Sequence, residues 1–223
     1  MLVGAPGPDA DRNHAPSVPF RQIRAHFDEK TITVYQAYNT TIATAAAEVQ
    51  KLDVSPSFKL TRMTWIKPSW AWMLYRAGYS YKDPGQARIL ALKMTHDDFV
   101  ALLRKGALAH HGAGDMDRGR VRVQWDPERD VRLGKLQHRS IQIGIPADIC
   151  RDWVSRGIVG IEDVTARARE LKRVLEEQPD VSDGELSSLG LLPAEREYVV
   201  PGDVEDILEM RGGSRGTGDE GGQ

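Results

Sequence analysis

Apolar and polar positions alternate along Thr31–Tyr38 (TITVYQAY), a β-branched and aromatic run that predicts a strand. Asn39 and the threonines after it supply an N-cap for an alanine-rich helix over Ile42–Leu52. Lys59–Ile66 reads as a second strand, and Pro68-Ser69 opens a helix over Trp70–Arg76 that ends near Gly78. Arg88–Met94 is a third strand. Thr95 then caps a helix over Asp97–Lys105, with Asp97 and Asp98 in its first turn. Arg120–Trp125 and Arg139–Ile145 are two more strands, separated by a turn at Asp126–Asp130. After Pro146 the period becomes helical: Ala147–Ser155 is short, and Ile161–Glu177 repeats Ile161, Val164, Ala168, Leu171 and Leu175 on one face. Gln178–Ser188 reads as a polar linker and Val204–Met210 as a last short helix. The mixed order predicts an α+β fold, with a mixed or antiparallel sheet of at least five strands flanked by helices.

The ends of the chain lack this periodicity. Residues 1–18 are rich in Pro, Gly, Asp and Asn and read as a disordered arm; residues 211–223 read as a disordered Gly-rich tail. Residues 19–210 form a single domain, with its core in 20–178. No apolar run is long enough for a membrane span, and no secretory leader is evident. The one cysteine, Cys150, excludes an internal disulfide framework and fits a cytoplasmic location. The net charge of −2 conceals a polarity: Arg12–Gly144 carries +9, and Ile145–Gln223 carries −9. The basic part can attract a phosphate-bearing ligand, either a nucleotide or a nucleic acid; equally, the acidic part can simply balance it within the fold.

The glycine-rich phosphate loops, metalloprotease, serine-hydrolase elbow and paired-cysteine motifs are absent from the sequence. The only close histidine pair, His110-His111, reads as solvated loop, so no metal is expected. Cys150 reads as a core thiol on an apolar helix face. The richest segment is Arg62–Arg76, with three of the five tryptophans and four donors suited to phosphate: Arg62, Lys67, Ser69 and Arg76. A strand, a Lys-Pro-Ser corner and a helix start aim Lys67 and free backbone N–H groups at one point, which suits an anion. Arg21 and Arg24 can converge on a pyrophosphate, and Tyr35, Gln36 and Tyr38 can hold a ribose or a planar ring. Arg139, Ser140 and Gln142 offer a third polar group on a strand. For each, the bland reading is a solvated face or a core aromatic. Trp65, sharing a strand face with Met63, is expected to be buried.

The strings VYQAY (Val34–Tyr38) and RMTWIKPSW (Arg62–Trp70), with RQIRA (Arg21–Ala25) and RSIQIGI (Arg139–Ile145), resemble domain-of-unknown-function family 4291 over about Phe20 to Gln178. That family name implies no activity. A second resemblance is to the ADP-ribosyltransferase fold. There an early strand supplies Arg or His, a middle strand–helix unit supplies Ser, Thr or Tyr, and a late strand supplies Glu or Gln. Arg21 or Arg24, then Lys67-Pro68-Ser69 or Tyr75, then Gln142 fill that order, without a late-strand Glu. The resemblance implies a nucleotide-dependent transferase using NAD. Gln142 and Tyr38 would be its catalytic residues, and Arg21, Arg24, Tyr35, Lys67, Ser69 and Arg139 would bind the ligand. Gln142 can fix a ribose but cannot serve as a general base. Arg24, Lys67 and Gln142 are expected to share the main pocket. The rival readings are a module binding RNA or single-stranded DNA, and a protein-interaction domain exposing Trp70 or Trp72.

Overall fold

Thr31–Tyr38 is a strand as its alternation dictates, but both of its faces are covered. Ile32 and Val34 enter one hydrophobic core, while Tyr35 enters another. The computed structural model describes residues 18–109 and 119–211. The expectations for the N-terminal arm, the Gly-rich tail and His110-His111 lie outside these residues, apart from Val18 and Arg211. Among the described residues the strands are β1 (Arg24–Ala25), β2 (Thr31–Tyr38), β3 (Thr64–Ile66), β4 (Arg88–Thr95), β5 (Gly106–Leu108), β6 (Val121–Arg129), β7 (Lys135–Ile145), β8 (Gly160–Asp163) and β9 (Arg196–Glu197). The helices are α1 (Thr40–Val49), α2 (Trp70–Ala77), α3 (His96–Arg104), α4 (Ala147–Asp152), α5 (Thr165–Glu177), α6 (Asp183–Ser188) and α7 (Gly202–Ile207).

The fold class is α+β, with the strands divided among three sheets of orders β3-β7-β6-β5, β2-β4-β8 and β1-β9. Among the described residues no single sheet reaches five strands. All pairings are antiparallel except β5 with β6. The two larger sheets meet edge to edge at one point. Tyr35 N–H donates to the Lys67 carbonyl at 2.7 Å, and Lys67 N–H donates to the Tyr35 carbonyl at 3.1 Å. This bridge fixes the backbone of Lys67 from both neighbours of the site described below.

Local signals placed the helix starts well. Asn39 accepts from Ile42 N–H, Ser69 from Trp72 N–H and Thr95 from Asp98 N–H. Each cap satisfies an N–H group that its helix cannot pair internally. Gly78, at φ 53°, ends α2 in the left-handed conformation that glycine adopts at no steric cost.

Other expectations are corrected. The strand expected over Lys59–Ile66 is confined to Thr64–Ile66. The turn expected at Asp126–Asp130 is strand as far as Arg129: Pro127 pairs with Arg139, and the register shifts between Pro127 and Arg129. A proline removes a ladder donor, and the shift accommodates it. The chain instead reverses over Asp130–Gly134, where the Asp130 carboxylate accepts from Arg132 N–H and Gly134 N–H. Ile161 belongs to β8, and the helix begins only at Thr165. The supposed linker over Gln178–Ser188 contains α6, started by a Ser182–Glu185 capping box. Val181, Leu186 and Leu191 fill the second core with Trp70, Met73 and α5, while Tyr198, Val200, Val204 and Leu208 fill the first. The acidic C-terminal part is thus woven into both cores. No helix among the described residues is long and apolar enough to cross a membrane.

Candidate functional site

The polar residues gather on one face of the larger sheet. Ile66 pairs with Ile143, and Gln142 pairs with Gln124, so Lys67 follows on the same side as Gln142 and Gln124. Asp126 and Ser140, themselves a pair, extend that face, while Ile66, Ile141, Ile143, Val121 and Val123 face the core. Helix α2 packs over the polar side. Lys67 is only 6% exposed, and its Nζ has one long contact, 3.4 Å to the Trp65 carbonyl. Burial, helped by the positive charge of Arg76 and opposed by Asp126, pulls its ammonium down to about 7. The Gln142 amide donates to Gln124 at 3.0 Å and to the Asp126 carboxylate. Burial raises the Asp126 carboxyl, against the Gln142 hydrogen bond and the charges of Arg76, Arg139 and Lys67.

The start of α2 is already supplied with hydrogen-bond acceptors by the chain itself. The Glu195 carboxyl oxygen accepts from Trp70 N–H at 2.6 Å. The Ser69 hydroxyl accepts from Trp72 N–H at 3.1 Å and donates to the Glu128 carboxylate at 2.9 Å. The expected convergence of Lys67, Ser69 and the α2 N-terminus on an external anion is therefore corrected: Glu195 and Glu128 fill that place. Burial pushes Glu195 up to about 8; the neighbouring Glu128 adds to the rise, while Trp70 N–H and Arg24 oppose it. Burial also raises Glu128, against hydrogen bonds from Arg129 N–H and Ser69.

A raised carboxyl has a stability signature. Between the ordinary value of 4.5 and about 8 the folded chain holds the Glu195 proton that the unfolded chain has lost. Stability from this group is complete below that window and falls as pH rises through it. Glu195→Gln keeps an acceptor for Trp70 N–H and removes the titration. Urea unfolding at pH values across the window should show a shallower decline in the variant than in the wild type. Parallel declines would show that Glu195 titrates normally.

The other predicted ligand residues do not converge. Arg21 is spent on Glu209, at 3.1 Å to its carbonyl and 3.0 Å to its carboxylate. Arg24 reaches Gln22 and the Glu195 carbonyl, so the two arginines do not form a pyrophosphate clamp. Arg139 lies over the Phe20 ring at 5.2 Å. Tyr35 is a core residue whose ring sits 5.1 Å from that of Trp70. Gln142 shares the face of Lys67, but its amide is engaged by Gln124 and Asp126. Tyr38 is buried beside a cleft. Trp70 and Trp72 are 2% and 5% exposed, which removes the exposed-tryptophan patch. Trp65, expected to be buried, is half-buried. Cys150 is fully buried, and burial pushes its thiol up, as fits a core residue.

Of the expected trio, Lys67 lines a cleft. That cleft, about 330 Å³, lies between β2, β3, α2 and the Asp83–Gln86 loop, and it also takes in Arg62, Trp65 and Arg76. A second cleft of about 190 Å³ adjoins it, lined by Tyr38, Asn39, Phe58 and Lys59; the two share Ala37, Arg62, Thr64 and Gly85. A larger hollow of about 550 Å³ follows α5, but Lys172 and Arg173 there are paired with Glu176, Glu170 and Glu177 on the same helix. Arg62 and Arg76 were visible as phosphate donors beside Lys67 in the sequence. Asp126, Glu128 and Glu195 were missed, and nothing near Glu195 in the chain announces its role. The family model described as Domain of unknown function (DUF4291) matches residues 22–198. No curated protein matches the chain.

Proposed function

The chain belongs to the DUF4291 family, whose description carries no activity, and we propose that its cleft beside β2 and β3 binds a phosphate-bearing ligand, a nucleotide. One observation carries this reading. Arg62, Lys67 and Arg76 meet in one cleft, and among the described residues none of them is ion-paired to a carboxylate. The one carboxylate on the rim, Asp83, is turned to Gly85 N–H at 2.8 Å and to the Gln86 amide. Asp126 is the opposite charge near Lys67 and Arg76; cations grouped in excess of it repel one another, and an anion placed among them relieves that repulsion. The half-buried Trp65 adds an aromatic plane on which a base can stack. NAD is the first nucleotide to test, because its pyrophosphate brings two charges to the three cations; use of NAD by a transferase is the extension of this reading to an activity.

A nucleic-acid strand is the rival phosphate-bearing partner. It calls for cations spread along an open face, whereas these are gathered in a single cleft. Calorimetric titration with NAD, ATP and an oligouridylate, each at two salt concentrations, separates the readings. Nucleotide binding should saturate at one site, and Arg76→Met should weaken it about tenfold or more, the worth of one charged hydrogen bond. Binding of the oligonucleotide alone, falling steeply with salt, would favour nucleic acid. Binding of none of the three would overturn the proposal.

A further inference from the structure

We propose that the smaller cleft receives the sugar of the bound nucleotide, with Tyr38 and Gln36 hydrogen-bonding its ribose hydroxyls. This rests on the nucleotide reading above and adds to it the part of the ligand that the cations do not explain. Gln36 and Tyr38 are two apart on β2 and so lie on one face, with exposures of 7% and 5%. The Gln36 amide donates to the Thr64 hydroxyl, yet its oxygen has no partner among the described residues. The Tyr38 hydroxyl lies beside Thr64 and Gln36 without a well-aligned hydrogen bond to either. Two adjacent buried polar atoms left unpaired carry the desolvation cost of both groups. A protein interior rarely tolerates such a pair unless something else completes it.

The location supplies the ligand. Tyr38 forms a wall of the smaller cleft, Gln36 forms a wall of the larger, and the two clefts share Ala37, Arg62, Thr64 and Gly85. A molecule whose phosphates sit by Lys67 and Arg76 therefore extends toward Tyr38. The chemistry there is unlike that at the cationic end. The Gln36 oxygen only accepts, and the Tyr38 hydroxyl both accepts and donates. Burial holds the Tyr38 hydroxyl well above its ordinary value, so it keeps its proton. An ionised phosphate offers acceptors only and cannot satisfy the Gln36 oxygen. Neighbouring hydroxyls, as on a ribose, each bring a donor and an acceptor and satisfy both groups together.

The test compares ATP with 2′,3′-dideoxy-ATP by calorimetric titration on the wild type and on Tyr38→Phe, with circular dichroism to confirm the fold. Tyr38→Phe removes one oxygen and keeps the buried ring. The wild type should bind ATP about tenfold more tightly than the dideoxy nucleotide. In Tyr38→Phe that preference should shrink severalfold, while the dideoxy nucleotide binds as before. Equal binding of both nucleotides by the wild type would overturn the sugar assignment and leave the nucleotide reading intact. The same holds if Tyr38→Phe retains the full preference. Failure of either nucleotide to bind the wild type would overturn both.

Discussion

Trp70→Ala should lower the unfolding free energy by about 3–5 kcal/mol, the usual cost of truncating a buried aromatic, and Trp65→Ala should cost distinctly less. Trp70 opens α2 and is 2% exposed, wedged against Tyr35 of β2 and within the core that also holds Met73, Leu74, Val164 and Leu171. Its indole N–H has no partner among the described residues, so the substitution breaks no hydrogen bond there, and the loss is packing. The void would open where α2 meets the junction of the two sheets. Trp65 is different. Its ring lies over Gly144, where an added Cβ would come within 3.0 Å of it, and Met63 presses on the same spot. Its remaining surface faces the cleft. Deleting it loses one packed side rather than a filled interior, and part of its area is already exposed to water. Urea denaturation of the two variants side by side checks this. Equal losses would mean that Trp65 is a core residue, as its alternation in the sequence implied.

Lys67→Met should weaken nucleotide binding by about 10- to 100-fold, equivalent to about 1.5–3 kcal/mol for a charge-assisted hydrogen bond, with no loss of stability. Methionine keeps most of the buried stem and removes an ammonium held with one long contact among the described residues. The sign of the pH effect follows from its lowered value. Between about 7 and 10.5 the unfolded chain holds the Lys67 proton that the folded chain has released. Stability from this group therefore rises with pH across that window and is lowest below it, where the folded state must bury the charge. The variant should lose this rise, visible as a flatter dependence of urea midpoint on pH. Ligand affinity moves the other way in the wild type, because the phosphate needs the charged amine; it should fall as pH climbs past about 7. Unchanged affinity in a folded Lys67→Met protein would remove Lys67 from the site, and a stability profile parallel to the wild type would show an ordinary amine.

The sequence by itself determined whatever depends on neighbours a few residues apart. Strand β2 follows from its alternation, and the starts of α1, α2 and α3 follow from Asn39, Ser69 and Thr95, because a cap reaches only two or three residues along its own helix. The concentration of cations at Arg62, Lys67 and Arg76 was legible for the same reason: one short stretch, from just before β3 to α2, holds all of them. Pairing across the chain was not legible. Whether Ile161 continues a strand or starts a helix depends on β4 beside it, since its apolar spacing fits either element. Pro127 is tolerated within β6 only because β7 shifts register opposite it. Arg21 and Arg24, three apart and apparently a clamp, were parted by partners at Glu209 and Glu195. Most decisive is the carboxyl group at the start of α2, which comes from 125 residues downstream. A free helix N-terminus looks the same in every sequence, whether water, a ligand or a distant glutamate will face it. Only the packing of the acidic C-terminal part over the basic sheet decides which, and here it gave that place to Glu195 and left the open cations to the cleft.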